Sequence, residues 1–128
     1  MSARILVVDD NPLNLALASY ILKSVGYVVE EAIDADDAQK LLRQTTPDLI
    51  LMDLALPGMD GLTLTRQLKA DERLKNIPIV ALTASAMQGD EQKALLAGCV
   101  GYISKPFNID QFSQQVAAFL HPSATVST

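Results

Sequence analysis

The chain has 128 residues, 49% of them hydrophobic and 20% charged, enough for one globular domain with a proper core and too few for two. Its net charge of −5 argues against nucleic-acid binding as the main activity. No apolar stretch approaches a membrane span, no signal-peptide layout opens the chain, and the lone Cys99 excludes an internal disulfide. A cytoplasmic protein that does not insert into membranes is expected.

Strand-like and helix-like segments alternate along the sequence. Arg4 to Asp9 reads as a first strand. Asn11 then caps a helix with Pro12 in its first turn, where proline's missing N–H is not needed. Leu13, Leu17, Ile21 and Val25 recur at helical spacing, and Gly26 ends the helix. Tyr27 to Ala32 is a second strand; Asp34 caps a second helix that turns Ala38, Leu41 and Leu42 inward, and Pro47 breaks it. Leu49 to Asp53 is the third strand, followed by a Pro57–Gly61 loop and a helix over roughly Leu62 to Ala70. Arg66, Lys69, Arg73 and Lys75 read as a solvated basic face and the loop after it. Ile77 to Thr83 is a fourth strand, with a helix from about Asp90 to Ala97 after it. Val100 to Ser104 is a fifth strand, and a last helix from Asn108 or Ile109 to about Leu120 carries Phe112, Val116, Phe119 and Leu120 on one face. Residues 1–121 form the domain, and 122–128 are a short polar tail expected to be disordered.

Five strands alternating with five helices imply an α/β fold, a parallel sheet covered on both faces. Right-handed crossovers put the C-terminal ends of all strands along one edge. Asp9, Asp10, Asp53, Thr83 and Lys105 all fall at such ends, so residues distant in sequence converge at the crevice where these folds bind ligands.

Asp53 is the most telling of them. It ends the continuously apolar run Leu49-Ile50-Leu51-Met52, where a carboxylate costs several kcal/mol unless its charge is compensated. Three converging acids carry −3; one divalent cation and the lysine supply +3. Hard oxygen ligands with one or two direct carboxylates suit Mg²⁺. Asp10 and Asp53 are candidate direct ligands, Asp9 acts directly or through water, and the Ala55 carbonyl can add an oxygen. An ionised Asp53 can attack phosphorus without a general base, forming an aspartyl phosphate. Lys105, Thr83 and the backbone after Asp53 would then neutralise the transferring oxygens.

Together, Asp9-Asp10, Leu49-Ile50-Leu51-Met52-Asp53 with Pro57-Gly58 and Gly61, Thr83-Ala84, and Tyr102-Ile103-Ser104-Lys105-Pro106-Phe107 resemble a response-regulator receiver domain of two-component signalling, over residues 4 to about 120. The resemblance implies a flavodoxin-like (βα)5 fold of strand order 2-1-3-4-5, Mg²⁺ as cofactor, and a phosphohistidine donor on a sensor histidine kinase or histidine phosphotransfer protein. It makes Asp53 the phosphoacceptor, Asp9 and Asp10 the metal acids, Thr83 the switch hydroxyl, Tyr102 the switch aromatic and Lys105 the essential lysine. It also implies a cis Lys105-Pro106 bond. The function expected is a phosphorylation-controlled switch or phosphorelay intermediate, not a turnover enzyme, which shifts the surface of the fourth helix, fifth strand and fifth helix toward a downstream protein target. Phosphoryl lifetime in the family is tuned near the positions of Ala55 and Ser85.

Other readings compete. Asp9 and Asp10 would also suit a helix start, Thr83 a strand-end turn, Lys105 plain surface charge and Tyr102 an apolar core or edge. Leu15 and Ala18 are assigned either to docking the donor or to inward packing. His121, the single histidine, reads as an exposed end residue and not a phosphohistidine donor, and Cys99 as a small packed residue. A phosphate-independent interaction module would keep the fold without the chemistry. An aspartyl-phosphate phosphohydrolase usually has a second aspartate two residues after the nucleophile, where this chain has Ala55.

Overall fold

The computed structural model describes residues 3–56, 58–83, 89–105 and 107–120. Pro57, Ala84, Ser85, Pro106 with the cis bond expected before it, His121 and the 122–128 tail lie outside the described residues.

Five strands and five helices alternate: β1 (Arg4–Val8), α1 (Pro12–Ser24), β2 (Val28–Ala32), α2 (Ala35–Gln44), β3 (Leu49–Asp53), α3 (Gly61–Ala70), β4 (Ile79–Thr83), α4 (Asp90–Ala97), β5 (Gly101–Ser104) and α5 (Ile109–Leu120). The strands form one parallel sheet in the order β2-β1-β3-β4-β5. This is the flavodoxin-like arrangement expected from the sequence. β3 and β4 are buried at every residue, as strands covered on both faces must be. At the edges, β2 and β5 are only partly buried, which is why charged and aromatic residues are tolerated in them.

Two apolar layers sandwich the sheet. One joins Leu6, Val8, Ile50, Met52, Ile79 and Ala81 to α2, α3 and α4 through Leu42, Leu64, Leu68 and Ala94. The other joins Ile5, Val7, Leu49, Leu51, Val80 and Leu82 to α1 and α5 through Ala18, Leu22, Phe112 and Val116. Alternate residues of one strand serve opposite layers, the period-two rule of the pleat. Phe112 is fully buried and stacks on Phe107 with ring centroids 4.5 Å apart. Burying such a ring stabilises the fold by roughly 1.5–3 kcal/mol.

The caps read from the sequence are present. Asn11 accepts the N–H groups of Leu13 and Asn14, and Asp34 accepts that of Asp37. Boundaries moved by one or two residues: β1 ends at Val8, β2 begins at Val28, β4 at Ile79 and β5 at Gly101. Two readings of α1 need correction. Leu13 is 79% exposed and Val25 53%, because the buried face runs through Leu15, Ala18, Ile21 and Leu22. At about 100° per residue, Leu13 lies on the far side of the helix from Leu15. Leu15 and Ala18 are therefore core residues and not a docking surface. Lys69 also departs from the solvated basic face: its ammonium donates to the carbonyls of Lys75 at 3.1 Å and Ile77 at 2.9 Å. It ties the end of α3 to the segment entering β4.

Candidate functional site

The C-terminal ends of β1, β3, β4 and β5 meet at one edge of the sheet. There an open cleft of about 350 Å³ is lined by Asp9, Asp10, Asp53, Ala55, Thr83 and Lys105, with Asn11 and Asn14 from the start of α1. Six of the seven residues singled out from the sequence thus come together. Tyr102 does not line the cleft; it stands 40% exposed on the edge strand β5.

Register produces this convergence. Val8 pairs with Met52, Asp53 with Leu82 and Thr83 with Ser104, so the residues that follow or complete each strand lie side by side. Carboxylate oxygens of Asp9, Asp10 and Asp53 lie within 4.8 Å of one another. Asp9 and Asp53 are buried, whereas Asp10 is exposed. The Lys105 ammonium bridges the buried pair, 2.9 Å from Asp9 Oδ2 and 3.2 Å from Asp53 Oδ2.

Local turns hold the other oxygens. The Asn11 N–H donates to Asp9 Oδ1 at 2.9 Å, and the Ala55 N–H to Asp53 Oδ1 at 3.0 Å. Gly61, at the start of α3, closes the far side of the loop after β3: its N–H donates to the Leu54 carbonyl at 3.3 Å. A Cβ at Gly61 would lie 2.2 Å from the Asp53 carbonyl oxygen, so only glycine allows this approach.

Burial pushes the Asp53 carboxyl above its ordinary pKa, against the opposing pull of the Ala55 N–H and the Lys105 charge. For Lys105, burial acts to lower the pKa, but the hydrogen bond to Asp9 and the charges of Asp53 and Asp9 outweigh it and raise the ammonium above its usual value. Lys105 is therefore a fixed positive charge at neutral pH. It offsets only part of the acid cluster.

The acids fit a hard divalent cation. Asp9 Oδ2 is buried, and the Lys105 ammonium is its single close partner among the described residues. A buried carboxylate oxygen in that position, beside two more carboxylates, is a ligand atom without a full complement of partners.

A family model of the response regulator receiver domain matches residues 5–117. The chain belongs to that family. Receiver domains are the regulated modules of two-component signalling, and this one shares their fold. The polar-differentiation response regulator DivK of Brucella ovis is 40% identical over 120 residues, covering 94% of this chain and 98% of that protein. Among solved structures, the receiver domain of the sensor histidine kinase PA1611 from Pseudomonas aeruginosa is 37% identical with a TM-score of 0.85, covering 94% of this chain and 98% of that one. That structure has a magnesium ion coordinated in its active-site cleft. The chemotaxis response regulator CheY4 of Vibrio cholerae is 27% identical with a TM-score of 0.88, over 93% of this chain and 99% of that one.

Sequence reasoning did not single out Asn14. Its signal was available in principle: a carboxamide one helical turn after the capping Asn11, on the helix that starts beside the acid pair. Cys99 is buried, its thiol pushed up by that burial despite contact with the Thr65 hydroxyl and the nearby Lys69 charge. No helix of the described residues is long and apolar enough to cross a membrane.

Proposed function

We propose that this receiver domain is a phosphorylation-controlled switch, or a relay intermediate, in which Asp53 accepts a phosphoryl group from a phosphohistidine. The observation that carries the reading is the Lys105 ammonium bridging the buried carboxylates of Asp9 and Asp53 beside the exposed Asp10 carboxylate. Asp9, Asp10, Asp53 and the Ala55 carbonyl would hold Mg²⁺, supported by the carboxylate spacing and by the magnesium in the Pseudomonas relative. When bound, the cation withdraws negative charge from the phosphoryl oxygens.

An Asp53 carboxylate oxygen forms the new bond to phosphorus while the P–N bond to the donor imidazole breaks, and the electron pair leaves with the imidazole. Lys105 supplies positive charge to one phosphoryl oxygen. The Thr83 hydroxyl, buried at the end of β4, takes another once the group has arrived. Tyr102, exposed on β5, turns inward behind Thr83. The α4-β5-α5 surface, where Leu96 is 88% and Val100 51% exposed, then shifts between two states that a target protein distinguishes. The donor is a sensor histidine kinase or a histidine phosphotransfer protein. The domain spans residues 1–121 and works in the cytoplasm as a signalling module that modifies itself.

Intact mass after incubation with MgCl₂ and acetyl phosphate tests the reading. One phosphoryl group on the wild type, absent without Mg²⁺ and absent from Asp53→Asn, is expected. An equal adduct on Asp53→Asn would sink the assignment.

A further inference from the structure

We propose, resting on the phosphoacceptor reading of Asp53, that Asn14 is a further residue of the phosphoryl site, where its carboxamide hydrogen-bonds the incoming phosphoryl group and sets the rate of transfer. Asn14 lines the same cleft as Asp9, Asp10, Asp53 and Lys105. It is the third residue of α1, and helical side chains lean toward the helix N-terminus. That tilt carries its carboxamide toward the acid pair that precedes the helix.

The neighbouring Asn11 oxygen and Lys105 ammonium already hold partners. The Asn11 side chain accepts the N–H groups of Leu13 at 2.9 Å and Asn14 at 3.4 Å. The Lys105 ammonium is shared between Asp9 and Asp53. Ionised carboxylates only accept hydrogen bonds, and they repel phosphoryl oxygens. The half-buried Asn14 carboxamide, by contrast, makes no side-chain hydrogen bond among the described residues. Nor is helix formation a reason for its presence, because asparagine is a weak helix former outside the cap. An amide N–H₂ there adds a donor for a phosphoryl oxygen without adding charge. A fourth acid would repel the substrate, and a second lysine would compete for the acids that Lys105 and the cation share.

In the transfer the new bond is from Asp53 oxygen to phosphorus, and the donor's bond to phosphorus breaks with its electron pair. Asn14 gains and loses no proton; it holds the group in line.

The test measures the initial rate of phosphorylation by acetyl phosphate at saturating MgCl₂, and in parallel the rise in melting temperature on adding MgCl₂. Asn14→Leu removes the hydrogen bond at similar volume, and Asn14→Gln keeps the carboxamide. Losing one hydrogen bond to a charged group is expected to slow Asn14→Leu by about tenfold or more. Its Mg²⁺-induced stabilisation should match wild type, and Asn14→Gln should recover part of the rate. An unchanged rate in Asn14→Leu, or a loss of rate matched by an equal loss of Mg²⁺ affinity, overturns the role of Asn14 while leaving Asp53 in place. A wild type that takes no phosphoryl group, or an Asp53→Asn that takes one equally, overturns the underlying reading and this one with it.

Discussion

Replacing Gly61 with alanine tests how closely the loop after β3 is fitted to Asp53, the proposed phosphoacceptor. The added Cβ would lie 2.2 Å from the Asp53 carbonyl oxygen, 2.9 Å from Leu54 Cα and 3.0 Å from the Asp53 carbonyl carbon. An ordinary non-bonded contact is about 3.5 Å, so the loop must open by more than an ångström. All three atoms are backbone, and none can rotate away. Overpacking of this kind costs about 1–3 kcal/mol, and rigid neighbours place it at the upper end. Alanine's advantage over glycine, about 1 kcal/mol within a helix, is only partly recovered at the first residue of α3. A net loss of about 2 kcal/mol lowers the melting temperature by roughly 6–8 °C in a domain of this size. Moving the Asp53 backbone by an ångström should also slow phosphoryl transfer by about a hundredfold. Gly26→Ala is the control: Gly26 has φ of 101° with nothing within 4 Å of an added Cβ, and it sits at the other end of α1 from the cleft. It should lose about 1 kcal/mol to the left-handed backbone and none of the transfer rate. The assays are thermal melting by circular dichroism and phosphorylation by acetyl phosphate. A Gly61→Ala protein that melts within a degree of wild type and phosphorylates at the same rate would refute the steric argument.

Mg²⁺ should raise the melting temperature, since a ligand of the folded state stabilises it by mass action. Asp10→Asn should stabilise the metal-free protein by relieving repulsion among the acids, and should shrink the Mg²⁺ effect; an undiminished effect would remove Asp10 from the ligand set. The Asp60 carboxylate caps α3 by accepting the Thr63 N–H at 2.8 Å, and that hydrogen bond holds its carboxyl below the ordinary carboxylate range despite slight burial. A lowered folded-state pKa contributes stability above the unfolded value that is lost as pH falls through the folded one. Asp60→Ala should therefore cost about 1 kcal/mol at neutral pH, with the gap to wild type closing in acid; a gap independent of pH would contradict this. Lys69→Met leaves the Lys75 and Ile77 carbonyls without their ammonium donor and should cost about 1 kcal/mol in urea unfolding, with no change in transfer rate.

Much of the molecule was legible because its signals are local. The apolar run ending in Asp53, the caps Asn11 and Asp34, and the alternation of strand-like with helix-like segments are set by neighbours in sequence. Together with the handedness of parallel crossovers, they dictate that Asp9, Asp10, Asp53, Thr83 and Lys105 share one edge. The phase of α1 was not legible, because leucine at positions 13, 15 and 17 is apolar whichever way it faces. Only the sheet and α5 packed beneath the helix decide that Leu15 goes in and Leu13 stays out. Lys69 was misjudged for the same reason. Nothing in the sequence near it says that the chain returns after α3 to present two carbonyls to its ammonium.

The class of fold and the acids and lysine that meet at the sheet edge could be read before any packing was known, since strand ends and charge are written locally. Tertiary structure alone decided which oxygens Lys105 bridges, which acid stays exposed, how closely Gly61 approaches Asp53, and that Asn14 joins the cleft. Those depend on register between strands far apart in the chain, and register is fixed only when both faces of the sheet are packed.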